Sequence, residues 1–231
     1  MSNTDNSPDI FHRSEILFGE KGMASLKNAR ILVLGMGGVG GYLTEALARG
    51  GIGHITVVDG DVFEETNLNR QLGATCDTLG ISKVRAMEDR MRLINPQLDI
   101  LGICEYFTEE KQDILNLQDY DYVADAIDMV SAKIQLIKLC LLLNIPIISA
   151  MGTGNRISPS RLKIGRLNET SGCPLAKAVR KGLKGKNTEF VKVVFSENPP
   201  EIRNSLTGST SYIPGIAGLM MAGEIIHDIV K

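Results

Sequence analysis

A glycine-rich turn between a predicted strand and a predicted helix is the first feature of this chain that suggests chemistry. It reads Gly35-Met36-Gly37-Gly38-Val39-Gly40 and matches the pattern Gly-x-Gly-x-x-Gly. Glycines here let the backbone approach a pyrophosphate, and the following helix N-terminus offers N–H groups and a positive dipole. Asp59 ends the next predicted strand, where its carboxylate can accept hydrogen bonds from ribose hydroxyls. These features predict a nucleotide site; the alternative is a tight turn without a ligand.

Polar residues just beyond Asp59 distinguish two kinds of nucleotide chemistry. Asn67, Arg70 and Gln71 follow it within a short segment. A nicotinamide dehydrogenase has little need of an added guanidinium, whereas reaction at phosphorus needs positive charge. Lys83 opens a predicted helix, where its charge opposes the helix dipole unless an anion lies nearby. We therefore predict ATP, with Arg70 bridging its phosphates and a phosphate beside Lys83; the alternative for Arg70 is a loop ion pair.

A second acidic segment, Asp125-Ala126-Ile127-Asp128, ends the fourth predicted strand. Open α/β sheets bind ligands at the carboxyl ends of their strands. A carboxylate beside phosphates commonly helps to hold Mg²⁺. The sequence therefore predicts that Asp128 binds magnesium; the alternative is that Asp128 caps the helix beginning near Ser131.

The elements that must position these residues alternate between strand and helix. Predicted strands span 30–35, 55–59, 98–104, 122–127 and 145–150, with helices at 39–49, 81–94 and 132–143. This rhythm is typical of a Rossmann-like, doubly wound α/β sheet. Beyond Ala150, we expect strands at 161–164 and 191–195 to extend the sheet in antiparallel directions. A basic helix is predicted at 174–183, a closing helix at 214–230, and a first short helix that ends at Gly19.

We expect one domain over residues 1–231, with a helical arm at 1–29, a nucleotide-binding half at 30–150 and a substrate-binding half at 151–231. The polar residues 1–9 are expected to be frayed, and residues 198–214 to form a long, functional, mobile loop.

Composition limits the setting in which the protein works. A net charge of -2 gives no overall attraction to polyanions, so contact with nucleic acid must be local. No run reaches the roughly 18 consecutive apolar residues of a membrane span, and the N-terminus lacks an export signal. These features predict a cytoplasmic protein without membrane contact. The four cysteines form no Cys-x-x-Cys pair, so we expect reduced thiols and no zinc site.

Together these motifs resemble the ThiF-type adenylating enzymes, the family of the ubiquitin-activating enzymes and of the bacterial activators of molybdopterin synthase and thiamine sulfur carriers. The resemblance covers nearly the whole chain and implies a ubiquitin-activating-enzyme-like fold. It implies ribose binding by Asp59, magnesium at Asp128, and phosphate contacts by Asn67, Arg70, Gln71 and Lys83. Arg13 resembles an N-terminal arginine that reaches the γ-phosphate of the neighbouring subunit, which implies a homodimer with Arg13, Arg70 and Asp128 in catalysis.

The second half resembles one branch of that family, the tRNA threonylcarbamoyladenosine dehydratases. Three blocks carry this resemblance, at residues 170–176, 191–197 and 211–219. It implies that the threonine carboxylate of a modified adenosine attacks the α-phosphate of ATP and that the side chain then cyclises with release of AMP. The main alternative is adenylation of the C-terminal glycine of a ubiquitin-like sulfur-carrier protein. A nucleotide-binding scaffold without chemistry and a nicotinamide dehydrogenase rank below it.

Basic residues cluster where the branch is expected to meet tRNA. They are Lys177, Arg180, Lys181, Lys184 and Lys186, with Arg161, Lys163 and Arg166 shortly before. RNA phosphates are one partner for this cluster, and a solvated helix face is the alternative. The resemblance also leaves open a sulfur-transfer or cysteine desulfurase-type partner. Cys173 stands before a proline, but an intramolecular cyclisation needs no enzyme nucleophile, so we expect it to be a packing residue.

Overall fold

The computed structural model describes residues 10–202 and 206–231. Residues 1–9, where fraying was expected, and 203–205, within the expected mobile loop, lie outside the described residues. The strands are β1 (Arg30–Leu34), β2 (His54–Val58), β3 (Asp99–Ile103), β4 (Tyr122–Asp125), β5 (Ile147–Ala150), β6 (Leu162–Arg166) and β7 (Lys192–Ser196). The α-helices are α1 (His12–Asn28), α2 (Gly40–Gly50), α3 (Lys83–Ile94), α4 (Val130–Leu143), α5 (Pro174–Gly182) and α6 (Tyr212–Val230).

The strands form one sheet in the order β3-β2-β1-β4-β5-β7-β6, with helices on both faces. From Ile31 to Leu34, strand β1 is continuously apolar because its alternate side chains enter different cores. Ile31 and Val33 pack in the cluster that contains residues of α2, α3 and α6, whereas Leu32 and Leu34 pack with those of α4 and α5. A strand covered on both faces must be apolar at every position. The predicted α/β fold is confirmed.

The strand order reverses direction at β1, and this reversal locates the cleft. Strand β1 pairs in parallel with β2 on one side and with β4 on the other, so Leu34 lies opposite both Val58 and Asp125. The turns after β1, β2 and β4 therefore leave the sheet together at the same edge. Open α/β sheets bind ligands at such a switch point.

The two late strands differ in direction, which corrects the expectation that both are antiparallel. Strand β6 is antiparallel to β7, but β7 is parallel to β5, with Ser149 opposite Val193. The reason is the path of the chain between them. After β6, residues 167–173 return to the cleft edge, and α5 then carries the chain to the opposite edge, from which β7 enters in the direction of β5.

Two further features concern the terminal helices. The predicted break at Gly19 is confirmed by its φ of 67° and ψ of 170°, although helix resumes directly and α1 continues to Asn28. Helix α6 is the one helix in the described part of the chain that is long and apolar enough to cross a membrane. Its buried residues, among them Met221 and Ile225, pack in the core that contains α2, so its apolar composition is accounted for by the core.

Candidate active site

A cavity of about 1090 Å³ opens at the carboxyl ends of β1, β2, β4 and β5. Of the residues predicted for the nucleotide site, eight line it: Gly35, Gly37, Gly38, Asp59, Arg70, Gln71, Lys83 and Asp128. Gly40, Asn67 and Arg13 do not. The cavity is large enough for a nucleotide and part of a second substrate.

The glycines of the turn serve two purposes. A Cβ on Gly40 would lie 1.7 Å from the carbonyl oxygen of Gly35, and one on Gly35 would lie 2.7 Å from that of Ala126. Both positions therefore require glycine for backbone packing. At Gly37 the nearest atom to such a Cβ is Nε2 of Gln71, at 3.9 Å, so this glycine leaves open space in the cavity. Gly38 lies against Pro214, which also lines the cavity.

Asp59 joins the end of β2 to the glycine turn. Its Oδ2 accepts a hydrogen bond from the backbone N–H of Met36 at 2.6 Å, and its Oδ1 accepts one from that of Asp61 at 2.8 Å. Burial raises the pKa of Asp59, and these two hydrogen bonds offset part of that effect. The carboxylate is thus held rigidly at the cavity wall, as its predicted role in ribose binding requires.

Lys83 has an anionic partner within the chain. Its Nζ lies 2.6 Å from Oδ2 of Asp61, whose Oδ1 accepts a hydrogen bond from the Tyr106 hydroxyl at 2.5 Å. Burial raises the pKa of Asp61, but the hydrogen bonds from Lys83 and Tyr106 outweigh it and lower the pKa overall. The same hydrogen bond to Asp61 raises the pKa of Tyr106 to about 12. Asp61 thus satisfies the helix-start lysine without a phosphate, and the phosphate contact of Lys83 stays a prediction.

Arg70 points its guanidinium along the rim of the cavity. Its Nη1 donates to the carbonyl oxygen of Thr66 at 2.7 Å and to Oδ1 of Asn69 at 2.9 Å. No carboxylate pairs with it among the residues that the structure describes, so the loop ion pair considered for it is not observed there. A fixed guanidinium whose charge is not neutralised suits an anionic ligand.

Gln71 and Asn67 differ although they lie only four residues apart. The Oε1 of Gln71 is buried without a hydrogen-bond partner, which is costly unless a ligand or water supplies a donor. Asn67 is turned into the loop, where its Oδ1 accepts from the backbone N–H of Glu64 at 3.1 Å. Its carbonyl oxygen accepts from the N–H groups of Arg70 and Gln71. Asn67 therefore shapes this loop, whereas Asn69 lines the cavity, and the phosphate contact of Asn67 stays a prediction.

Asp128 is exposed and lines the cavity at the start of α4. The N-cap of α4 is Met129 and no side chain caps this helix, so the alternative that Asp128 is a helix cap is not supported. The described residues contain no group of three or more His, Cys, Asp or Glu side chains that could hold a metal ion. A single carboxylate still suits Mg²⁺, which commonly takes most of its ligands from phosphates and water.

A buried ionic cluster beneath Asp128 escaped the sequence analysis. Nζ of Lys133 lies 2.7 Å from Oδ2 of Asp125, and the hydroxyl of Ser149 donates to the same oxygen at 2.5 Å. The other oxygen of Asp125 accepts from the N–H of Ile127 at 3.0 Å. All three side chains are fully buried. The cluster fixes the β4–α4 connection that carries Asp128; the signal in the sequence was Lys133 within an apolar helix.

The described part of the predicted 198–214 loop forms a wall of the cavity. Leu206, Thr207, Gly208 and Ser209 line it. The carbonyl oxygen of Ser209 accepts from Nδ2 of Asn69 at 3.1 Å, which joins this wall to the Arg70 loop. Arg13 is exposed in the first turn of α1, outside the cavity of its own chain, so its role across a dimer stays a prediction.

Comparison with known proteins extends these observations. The ThiF family model matches residues 11–231. A tRNA threonylcarbamoyladenosine dehydratase of Bacillus subtilis is 37% identical over 240 residues, which cover 96% of this chain and 94% of that protein. The crystal structure of the Escherichia coli dehydratase in complex with ATP superposes with a TM-score of 0.90 at 31% identity, covering 99% of this chain and 97% of the other. The Culex quinquefasciatus adenylyltransferase and sulfurtransferase MOCS3 is 37% identical over 131 residues, which cover 57% of this chain and 30% of that protein.

Proposed function

The chain belongs to the ThiF family, and from this premise we propose that it is an ATP-dependent tRNA threonylcarbamoyladenosine dehydratase. The observation that carries the proposal is the similarity to dehydratases of this name over both halves of the chain. The cavity adds chemical support, because it joins a glycine turn, a fixed carboxylate and a guanidinium that pairs with no carboxylate of the described residues, all at one strand edge.

The proposed reaction has two steps. A carboxylate oxygen of the threonylcarbamoyl group attacks the α-phosphorus of ATP, and pyrophosphate leaves as the new oxygen–phosphorus bond forms. A nucleophilic atom of the same modified side chain then attacks the activated carbonyl carbon. The bond between that carbon and the bridging oxygen breaks, AMP leaves with the oxygen, and the ring forms. The nucleoside has lost one water in total, and the second step needs no enzyme nucleophile.

The residues of the cavity suit the first step. Gly37 and Gly38 leave room for phosphates to approach the backbone, and Asp59 offers a carboxylate for the ribose. Arg70 is placed to stabilise the negative charge that accumulates on phosphorus during attack, the largest kind of contribution to such catalysis. Asp128 would hold Mg²⁺, which supplies charge neutralisation of the phosphates when it is bound.

Gln71 supports the fit between this cavity and a nucleotide. Among the described residues that line the cavity, Gln71 is the one with a buried side-chain polar atom, Oε1, that lacks a hydrogen-bond partner. A hydroxyl or amino group of a bound nucleotide would remove that cost. Lys83 would gain a phosphate while it keeps Asp61, since an ammonium group has three donors.

The alternative, activation of a ubiquitin-like sulfur-carrier protein, shares the first step and differs in its substrate. The match to an adenylyltransferase and sulfurtransferase covers a smaller part of both chains, so it gives weaker support. Pyrophosphate exchange that depends on a carrier protein with a C-terminal glycine, and not on tRNA, would favour this alternative.

We further infer a homodimer, a cytoplasmic location and, as the least supported partner, a sulfur-transfer or cysteine desulfurase-type protein. The dimer would place Arg13 beside the phosphates of the neighbouring subunit. Mixing Arg13→Ala and Arg70→Ala protomers tests this placement, because a mixed dimer keeps one site with both arginines. Recovery of activity on mixing supports it, and two inactive variants that stay inactive when mixed contradict it.

The experiment that tests the function uses the purified protein, ATP, Mg²⁺ and tRNA that carries threonylcarbamoyladenosine. We expect AMP formation together with a modified nucleoside lighter by one water, digested under conditions that preserve the ring. Unmodified tRNA is the matched control and should give no AMP. AMP formation without a change in nucleoside mass would reject the dehydratase assignment.

A further inference from the structure

A second cavity, of about 610 Å³, lies beside the nucleotide cavity. Its residues come from three segments: Asn155 after β5, the start of α5, and the chain that follows β7. The lining set is Asn155, Gly172, Cys173, Pro174, Lys177, Arg180, Pro199, Pro200 and Ile202. We call it the α5 cavity. Among the described residues, the only charged ones that line it are the two cations Lys177 and Arg180, so it suits an anion.

The side chains of Arg180 and Lys177 differ in how they are held. Arg180 is held, because its Nη1 donates to the carbonyl oxygen of Thr170 at 2.7 Å and to the hydroxyl of the same residue. Lys177 is exposed one turn earlier on α5, and no carboxylate pairs with it in the described ranges. Of the neighbouring carboxylates, Glu197 pairs with Lys163, and Glu201 accepts from the N–H of Ile157 at 2.7 Å. Among the described residues neither carboxylate forms an ion pair with Lys177 or Arg180, so an incoming anion can approach both cations.

A thin wall separates the α5 cavity from the nucleotide cavity. Leu175 and Gly152 line the nucleotide cavity, whereas Cys173 lines the other. A Cβ placed on Gly152 would lie 3.4 Å from Sγ of Cys173 and 3.8 Å from Cβ of Leu175. One layer of side chains thus separates the two cavities. A ligand bound in one cavity can therefore place an adjoining chemical group in the other.

The α5 cavity lies beside two of the sequence blocks that resemble the dehydratase branch. Residues 170–176 and 191–197 carry the resemblance to the dehydratase branch, and the structure brings their ends together here: Gly172 to Pro174 on one side, and the segment that begins after Glu197 on the other. A Cβ on Gly172, whose φ is 67°, would lie 1.9 Å from the carbonyl oxygen of Glu197. The two blocks are therefore packed backbone against backbone.

We propose that the α5 cavity binds a backbone phosphate of the RNA strand next to the modified adenosine, while the carboxylate of that adenosine enters the nucleotide cavity. The proposal rests on the proposed function and assigns the RNA contact to Lys177 and Arg180. Lys184 and Lys186 of the basic cluster lie beyond the far end of α5, towards the sheet edge opposite to the cleft, and they are not needed for this contact.

The test compares Lys177→Gln with Lys27→Gln, which removes the same charge from an exposed lysine of α1 at the opposite sheet edge. Lys177→Gln should raise KM for the RNA about tenfold, because a charge-assisted contact is lost, and leave kcat and KM for ATP unchanged. The slope of log KM against log salt concentration should fall by about 0.7 for one single-strand phosphate contact. Lys27→Gln should resemble the unaltered protein in all of these measurements.

RNAs that contain the modified adenosine and a single uncharged methylphosphonate linkage then identify the phosphate. One linkage next to the modified adenosine should raise KM for the unaltered protein about as much as Lys177→Gln does, and cause no further increase in that variant. Additive effects at every linkage would overturn the proposal, and so would equal KM values for the two glutamine variants. An increase in KM for ATP instead would assign the cavity to nucleotide phosphates and overturn it as well. These outcomes differ from failure of the proposed function, in which the unaltered protein forms no dehydrated nucleoside.

Discussion

The buried pair of Lys133 and Asp125 allows a quantitative prediction. Their charged atoms lie 2.7 Å apart and neither side chain is exposed. At an effective dielectric constant of about 20, this separation gives an attraction of about 6 kcal/mol. Removing two ions from water costs several kcal/mol for each, so the intact pair contributes little net stability. The loss of one partner, in contrast, leaves a buried charge without compensation.

Lys133→Met removes the positive charge and keeps a side chain of similar length. Asp125 is then a buried charge without its partner, because the distance between the two charged atoms shows that Lys133 is the cation that compensates it. Removing one partner of a buried ion pair typically costs about 3 to 5 kcal/mol, so the variant should lose about 4 kcal/mol of unfolding free energy at pH 7.

Urea unfolding of both proteins at pH 7 measures this difference. At pH 7 the loss corresponds to a decrease in Tm of roughly 8 to 16 °C for a chain of this length. The double variant Asp125→Asn/Lys133→Met is the control, because Asn keeps acceptor and donor groups for Ile127 and Ser149 while no charge remains. It should unfold within about 1 kcal/mol of the unaltered protein. A loss that persists in the double variant would refute the ionic explanation.

Further predictions concern the nucleotide cavity. Arg70→Ala and Asp128→Ala should each abolish AMP formation and change the unfolding free energy by no more than about 0.5 kcal/mol, since both side chains lie at the cavity surface; AMP assays and urea unfolding check this, and retained turnover in either would contradict the mechanism. Gly40→Ala should lose ATP binding and several kcal/mol of stability because its Cβ would collide with the Gly35 carbonyl, whereas Gly37→Ala should stay folded with a Tm close to that of the unaltered protein. Burial raises the pKa of Asp59, so KM for ATP should begin to rise on acidification at a higher pH than an ordinary aspartate, near 3.9, would give; a KM that stays constant down to about pH 4 would contradict ribose binding by this carboxylate.

The central strands of the fold were predictable because the polarity of each strand residue indicates whether its side chain is buried. Strands β1 and β4 are apolar at nearly every position, which a sheet covered on both faces requires, and the turn glycines mark where β1 ends. The direction of β7 was not predictable in the same way. It depends on the route of the chain through residues 167–191, and the apolar pattern of a strand is identical whichever way it runs.

The residues of the candidate site likewise include some that the sequence predicted and some that it did not. Gly37, Asp59, Arg70 and Asp128 were found because each lies just beyond a predicted strand or within a recognisable motif, and the parallel register brings such positions together.

The Asp125, Lys133 and Ser149 cluster was missed because it depends on pairing between strands: Asp125 of β4 lies directly opposite Ser149 of β5. The phosphate contact that the resemblance implies for Asn67 stays a prediction, because the side-chain oxygen of Asn67 is used by its own loop. Residue type alone does not show which way an amide points.

An isotope experiment tests the central claim most directly, namely that this cavity transfers the adenylyl group of ATP to a carboxylate. The substrate is tRNA whose threonylcarbamoyl carboxylate carries ¹⁸O at both oxygens, incubated with the protein, ATP and Mg²⁺, and the released AMP is analysed by mass spectrometry. Attack of the carboxylate on the α-phosphorus, followed by ring closure, leaves one ¹⁸O atom in each AMP. AMP without the label, or label found in inorganic phosphate beside ADP, would contradict the account.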